Sequence, residues 1–276
     1  MKIYPVPEIF RVPDRFRYPE DNWPDFEYWF MVNFKPEEIA GDRVYLPILF
    51  TSYFKTHGYG LTQKDVQPLQ NFVDTLPGDL KYFCVVQYDN GTLVDWKGKD
   101  VVVFAMSGKP ENCIPIPLVC QPHKYQPKEY KKDILLSFVG RITHPIRQTI
   151  VDWGAGKDDC YFSSRSHSLT EYCEILVRSR FVISARGYGA TSFRVCEAMQ
   201  YGAIPIIFKH IDDRIHMCPF SIICDFVDLK KEDLDYIYNF VKTDPPSIVG
   251  QWDAYQRYYT FEGVKKTILQ GLWDLQ

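Results

Sequence analysis

The chain has 276 residues, of which 46% are apolar and 24% charged, and its formal net charge is −3. That length suits two ordinary domains or one large one, and the composition is that of a globular protein with a real core, which excludes disorder and collagen-like structure. The charge is unevenly placed: residues 1–130 carry 14 basic and 17 acidic side chains, 131–216 carry 12 and 9, and 217–276 carry 6 and 9. Of the 13 arginines, 8 fall between Arg141 and Arg214. Because the guanidinium fork matches a phosphate, this middle block is where an anionic ligand is expected. An acidic protein without a lysine-rich run is a poor nucleic-acid binder, since that affinity rests on many phosphate contacts. The eight cysteines form no Cys-x-x-Cys pair and several sit in apolar runs, so they read as buried free thiols. No apolar run approaches 18 residues and the N-terminus is broken by prolines and charges, so the expectation is a soluble, cytoplasmic protein without a membrane span.

In chain order, residues 1–42 read as an extended, aromatic-rich arm over the surface. Arg43–Phe50 is predicted as a strand, followed by a glycine-containing loop, Thr56-His57-Gly58-Tyr59-Gly60. A helix is predicted from Thr62 to about Leu76 on the spacing of Val66, Leu69, Phe72 and Val73. Two apolar strands follow at Lys81–Gln87 and Asp100–Met106, then an extended piece at Cys113–Cys120. The polar stretch Gln121–Lys132 reads as a domain linker.

A second α/β series opens with Ile134–Val139, a run suited to a strand buried on both faces of a parallel sheet. A helix is predicted from about Pro145 to Asp152, a short strand at Cys160–Phe162, and a helix at Leu169–Arg178 with Ser168 and Glu171 forming a capping box. Phe181–Ser184 is the next strand, Arg186–Thr191 a glycine-rich loop, Ser192–Tyr201 a helix, and Ile204–Ile207 another strand. The tail is predicted to end in a helix from about Glu262 to Leu275. The expected division is 1–130, 131–255 and a C-terminal helical tail, 256–276, packing back on the body.

The strand, loop and helix around residues 181–201 are the most informative passage. In an open parallel sheet the ligand crevice lies at the carboxyl ends of the strands, where this loop must be. Free backbone N–H groups with Arg186 and Arg194 suit a diphosphate. Arg141, at the end of its own strand, is expected to face the same crevice. A carboxylate beside a phosphate would repel it, so Glu197 is expected to bond a neutral diol such as a ribose. Arg178 and Arg180 read instead as a solvated helix end.

Arg180 through Phe208 resembles the signature of exostosin-type glycosyltransferases: a strand ending near Arg-Gly, then Ser-x-Arg-x-x-Glu-Ala (Ser192, Arg194, Glu197, Ala198), then Gly-x-Ile-Pro (Gly202, Ile204, Pro205). Ser137–Arg141 and Val86–Asp89 are similar to further segments of that family. The resemblance implies an α/β protein of GT-B architecture, two facing Rossmann-like domains with parallel sheets, the donor in the C-terminal one and the acceptor in the N-terminal one. It implies an inverting transferase moving xylose or another pentose or hexose from a UDP-sugar to a hydroxyl of an oligosaccharide or glycoprotein glycan. Glu197 would bind the donor ribose. Arg186, Gly187, Ser192 and Arg194, with Arg141, would hold the diphosphate. Animal and plant relatives carry a Golgi anchor, which this chain lacks; that points to a compact microbial or viral member, as in large algal viruses, acting in the cytoplasm, that of the host if viral.

Inversion needs a base for the acceptor hydroxyl and charge to stabilise the departing nucleotide. Asp89 and His57, on loops of the N-terminal half, are the base candidates, with Asp74 a weaker third; Trp96 and Tyr59 are candidate sugar-stacking aromatics. Asp233-Leu234-Asp235 falls in a predicted surface helix, and the other acid pairs have no histidine at ligand spacing, so metal independence and no cofactor are expected. A catalytically silent nucleotide-sugar-binding or lectin-like module, and a phosphorylase or phosphatase at the same anion site, are the competing readings.

Overall fold

The computed structural model describes residues 2–13, 25–39, 41–57, 61–125, 131–247 and 249–276. The chain divides into two compact units, Met1–Pro117 with Arg214–His216 and Phe261–Gln276, and Leu118–Asp213 with Met217–Thr260.

In the first unit, β1 (Val44–Tyr45), β2 (Tyr82–Val86), β3 (Val101–Ala105) and β4 (Ile114–Pro115) pair in parallel and in sequence order. Every residue of β2 is buried, as its aromatic and β-branched run requires of a strand covered on both faces. The strand expected over 43–50 stops at Tyr45, and Phe50–Thr56 forms a helix, α2. Pro47 offers no ladder donor, and Ile48 N turns back to Leu46 O (2.9 Å). An unbroken apolar run carries no period to separate the two states.

The expected surface arm is instead built into this unit wherever it is described. Tyr4 N donates to Tyr45 O and Tyr45 N to Lys2 O, both at 2.9 Å, so the first residues run beside β1. Helix α1 (Phe26–Asn33) buries Phe26 and Phe30 completely, each worth up to about 3 kcal/mol. Phe30 packs edge-on to Tyr45, and Phe26 edge-on to Phe261 at the start of α9 (Phe261–Asp274). Lys265 of α9 is buried and donates to Asn33 O and Glu38 Oε2, both at 2.8 Å. Helix α3 (Gln63–Asp74) runs where expected and buries Leu69 and Val73.

The second unit is a five-stranded parallel sheet of β5 (Ile134–Val139), β6 (Cys160–Ser163), β7 (Ser179–Ala185), β8 (Ile204–His210) and β9 (Ile222–Phe226), in the order β6-β5-β7-β8-β9. This is a doubly wound, Rossmann-like order that reverses direction between β5 and β7. On one face, Phe138, Phe181, Ile183, Ile206 and Phe208 pack with Ile150 of α4 (Pro145–Gly154) and with Leu234 and Val241 of α7 (Lys231–Thr243). On the other, Val182 and Ala203 pack with Leu176 of α5 (Leu169–Arg178) and Ala198 of α6 (Arg194–Gln200). The capping box on α5 is present, with Glu171 N donating to Ser168 Oγ at 3.2 Å. Helix α6 is two residues shorter at its start than expected, and Gly202 closes it at φ 65°, the left-handed region. Helix α8 (Gln251–Tyr258) was not among the expected elements.

Part of the expected linker is packed rather than spanning. Just before it Cys120 Sγ lies 3.5 Å from Cys196 Sγ, and within it both backbone groups of His123 pair with the Gln200 amide at 3.1 and 2.9 Å. Hence the boundary between the units falls at 117/118, not 130/131, and the last helix joins the first unit. Residues 126–130 lie outside the described residues. No helix among the described residues is long and apolar enough to cross a membrane.

Candidate functional site

The reversal between β5 and β7 places the loops that follow these two strands side by side at the carboxyl edge of the sheet, where ligands of doubly wound folds bind. Arg141 follows β5, and Arg186 and Gly187 follow β7. The Arg141 side chain is exposed, with no hydrogen bond or ion pair among the described residues. Arg186 is half-buried; its Nη1 donates to Asp213 Oδ2 at 2.8 Å, while its Nε is buried without a partner among the described residues. Thr143 Oγ1, in the β5 loop, is likewise buried and unpartnered, and so is Ser184 Oγ near the end of β7. Buried polar atoms are normally hydrogen-bonded, so this concentration of unsatisfied donors marks an edge built to receive acceptors. The edge is also electropositive. Burial, followed by the charges of Arg186 and Arg147, lowers the His144 pKa.

Arg147, the third residue of α4, was counted in the sequence but given no role. It is 7% exposed, and its guanidinium donates to Arg186 O (Nε, 2.8 Å), Arg141 O (Nη1, 3.0 Å) and Ala185 O (Nη2, 3.1 Å). One side chain therefore ties the loop after β5 to the loop after β7. Arg194 makes the reciprocal reach from α6: its Nε donates to Val139 O at the end of β5 (2.7 Å), Nη1 donates to Ser192 Oγ (3.1 Å), and its guanidinium lies over the Phe138 ring, 4.8 Å from the centroid. Arg194 is 8% exposed. It was expected to face a diphosphate, and the structure turns it inward, where the β5 carbonyl and the Phe138 ring hold it. Ser192, half-buried, is the remaining side chain of the motif at this edge.

Glu197 was expected to reach a ribose-like diol at the mouth of its helix and is instead 1% exposed. His123 Nε2 donates to its Oε1 at 2.9 Å and Tyr172 OH to its Oε2 at 2.7 Å. Burial alone raises a carboxyl pKa, but here the His123 bond and charge and the Tyr172 bond outweigh it, and Glu197 titrates below the usual range. The partner that encloses it, His123, lies 74 residues away, so nothing local in the sequence signals the contact.

The base candidates both belong to the first unit. Asp89 sits half-buried in the turn Tyr88–Gly91 after β2, closed by Gly91 N donating to Tyr88 O (2.9 Å) with Gly91 at φ 75°. His57 is exposed and ends helix α2 rather than lying in a loop after a strand; its Nδ1 donates to Tyr53 O at 2.8 Å. Gly58, Tyr59 and Gly60 lie outside the described residues. Asp74 is engaged by Lys97 Nζ at 2.6 Å, and Trp96 packs against the core of the unit. Asp235 accepts from Trp153 Nε1 at 2.8 Å on the α7 surface. Among the described residues no three histidine, cysteine or acidic side chains cluster as metal ligands would.

The first unit also holds a buried acid pair that sequence reasoning missed. Glu27 Oε1 accepts from Thr51 Oγ1 (2.8 Å) and Gln87 N (2.6 Å), its Oε2 accepts from Thr51 N (2.9 Å), and Asp25 Oδ1 accepts from Tyr28 N (2.8 Å). Burial and the Asp25 charge raise the Glu27 pKa to about 8. A cavity of about 630 Å³ lies elsewhere in the second unit, beside β9 and α7; Asp233 lines it, and none of the expected donor-site or base residues does.

A search of curated proteins finds no match. Among solved structures the chain is similar to TarM (11% identity, TM-score 0.43, 90% of this chain and 57% of that one) and to the GtfA/B complex (12%, TM-score 0.44, 90% and 60%). It is also similar to the pneumococcal O-GlcNAc transferase GtfA in complex with UDP and GlcNAc (10%, TM-score 0.42, 90% and 60%). The chain spans about three-fifths of the length of these structures. The Exostosin GT47 domain model matches residues 49–226, from the start of α2 through β9, and so takes in every strand of both sheets but β1. That match takes in well over half of the sequence, and the chain belongs to the exostosin GT47 family.

Proposed function

We propose that the protein is a glycosyltransferase that moves a sugar from a UDP-sugar to a hydroxyl of a glycan acceptor, inverting the anomeric carbon. The observation that carries this reading is the edge between β5 and β7, where Arg141 is exposed and, among the described residues, Arg141 has no ion pair and Arg186 Nε and Thr143 Oγ1 are buried donors without partners. A diphosphate supplies the acceptor oxygens and the negative charge that such an edge lacks. As the bond to the sugar breaks, charge develops on the departing nucleotide, and Arg141 and Arg186 stabilise it in place of a metal ion. Asp213 holds Arg186 at the edge until the donor competes for it.

Asp89 is assigned the base role. It accepts the proton of the acceptor hydroxyl as the oxygen attacks, and its turn keeps it at the carboxyl end of β2. Glu197 serves from within, holding His123 and Tyr172 on α6.

Calorimetric titration of the full chain with UDP, GDP and free phosphate, each in the presence of a chelator, tests the donor half of this reading. Binding of UDP that survives the chelator and weakens about tenfold in Arg186→Ala is expected, as for loss of a charge-assisted contact. Absence of nucleotide binding, or a requirement for metal, contradicts it.

A further inference from the structure

Arg147 and Gly187 form a coupled pair whose consequence goes beyond fold stability. Three carbonyls, Arg141 O, Ala185 O and Arg186 O, receive the three edges of a single guanidinium at 2.8 to 3.1 Å. These carbonyls belong to the two loops that carry the exposed Arg141 and the half-buried Arg186. A planar fork with fixed donor directions holds three acceptors in one arrangement, which a point-charge ammonium on a flexible stem does not. The position of Arg147 in the first turn of α4 matters as well, because the fork is carried on a rigid element anchored by Ile146, Ile150 and Trp153 in the core.

Gly187 makes the brace possible. A Cβ at this position would lie 2.8 Å from Arg147 Nη2 and 3.3 Å from Thr143 Oγ1. Gly187 is not among the glycines with positive φ, so the requirement is for space and not for backbone freedom. The missing side chain lets the guanidinium and the unpartnered Thr143 hydroxyl approach the same stretch of backbone.

We propose that Arg147 is a positioning residue for the donor: it sets the spacing of Arg141 and Arg186 by clamping their carbonyls, contacts no substrate itself, and depends on the absence of a side chain at Gly187. This deepens the proposed function and rests on it for the identity of the ligand. The brace itself is a statement about the two loops that holds with or without nucleotide.

The test separates the two. In the full chain, Arg147→Lys keeps the charge and loses the fork, and it is expected to weaken UDP binding and raise the donor KM about tenfold or more, with kcat changed much less. The native fold is checked by the thermal midpoint and near-ultraviolet dichroism. Hydrogen exchange of the amides in residues 140–143 and 186–192 is expected to speed up in Arg147→Lys while exchange elsewhere is unchanged. Gly187→Ala is expected to weaken UDP binding in the wild-type background and to add less than about twofold in an Arg147→Ala background, because the group it displaces is gone. Wild-type affinity and exchange in Arg147→Lys, or multiplicative effects of the Arg147→Ala and Gly187→Ala changes, overturn the proposal. Exchange that responds in both loops of a chain whose wild type binds no nucleotide overturns the donor reading and the donor role of Arg147 together, and leaves only a structural clamp.

Discussion

Arg194 of α6 passes directly beneath Gly140, so that a Cβ at position 140 would collide with its Nη2. The arginine is held there by Val139 O and by the Phe138 ring, contacts it would have to give up to move aside. Gly140→Ala is therefore expected to cost about 1–3 kcal/mol of unfolding free energy, as overpacking a tight site does. Urea unfolding of Gly140→Ala in wild-type and Arg194→Ala backgrounds checks this. The cost should shrink when Arg194 is absent, and an equal cost in both places the strain elsewhere.

Glu197 is the hub of a buried polar cluster. Glu197→Ala strands His123 Nε2 and Tyr172 OH in the interior, and a loss of about 3–5 kcal/mol is expected. Glu197→Gln retains an acceptor for His123 and should fold, with UDP affinity within about twofold of wild type. A large fall in UDP affinity with unchanged stability would return this carboxylate to the ribose, as the motif resemblance implies.

The Glu27 pair makes stability depend on pH with a definite sign. Its folded pKa of about 8 lies above the ordinary 4.5, so the folded state holds a proton that the unfolded state releases between these values. The contribution is fully present below pH 4.5 and is lost as pH rises toward 8. Urea midpoints from pH 5 to 8 should therefore fall more steeply in the wild type than in Glu27→Gln. Parallel profiles would place the titration on another group.

Asp89→Asn removes the proposed base and keeps a residue well suited to the same turn. Transfer is expected to fall by at least about a hundredfold, the usual contribution of a general base, with UDP affinity retained. Activity within a few-fold of wild type, measured by product formation at saturating donor, assigns the proton to His57 or to another group.

Much of the second unit was legible. Ile134–Val139 is apolar at every position but Ser137 and buried along its whole length, as suits a doubly covered strand, and Ser168 with Glu171 announces α5 through a local capping chemistry that the structure reproduces. The passage from β7 through β8 carried both fold and family, because strand, glycine loop, helix and Gly-x-Ile-Pro follow in fixed order. What was not legible depended on distant partners. Arg194 read as a phosphate ligand and Arg147 was given no role, since residue type does not tell whether a guanidinium turns to solvent or to a carbonyl across the sheet. His123 stood in a polar stretch with linker composition, and only packing on α6 gives it a place. In the first unit, α1 and Glu27 were hidden in a proline-rich segment whose aromatics follow no single period, although Phe26, Phe30 and Phe34 stand at helical spacing.

Acceptor-dependent release of UDP bears most directly on the central claim. The full chain, in the presence of a chelator, would be offered UDP-xylose, UDP-glucose and UDP-GlcNAc with simple glycoside acceptors, and products would be identified by mass and anomeric configuration. The account predicts a glycosylated product of inverted configuration from at least one donor, with UDP released in equal amount. UDP binding without product from any acceptor would contradict it and leave a silent nucleotide-sugar-binding module.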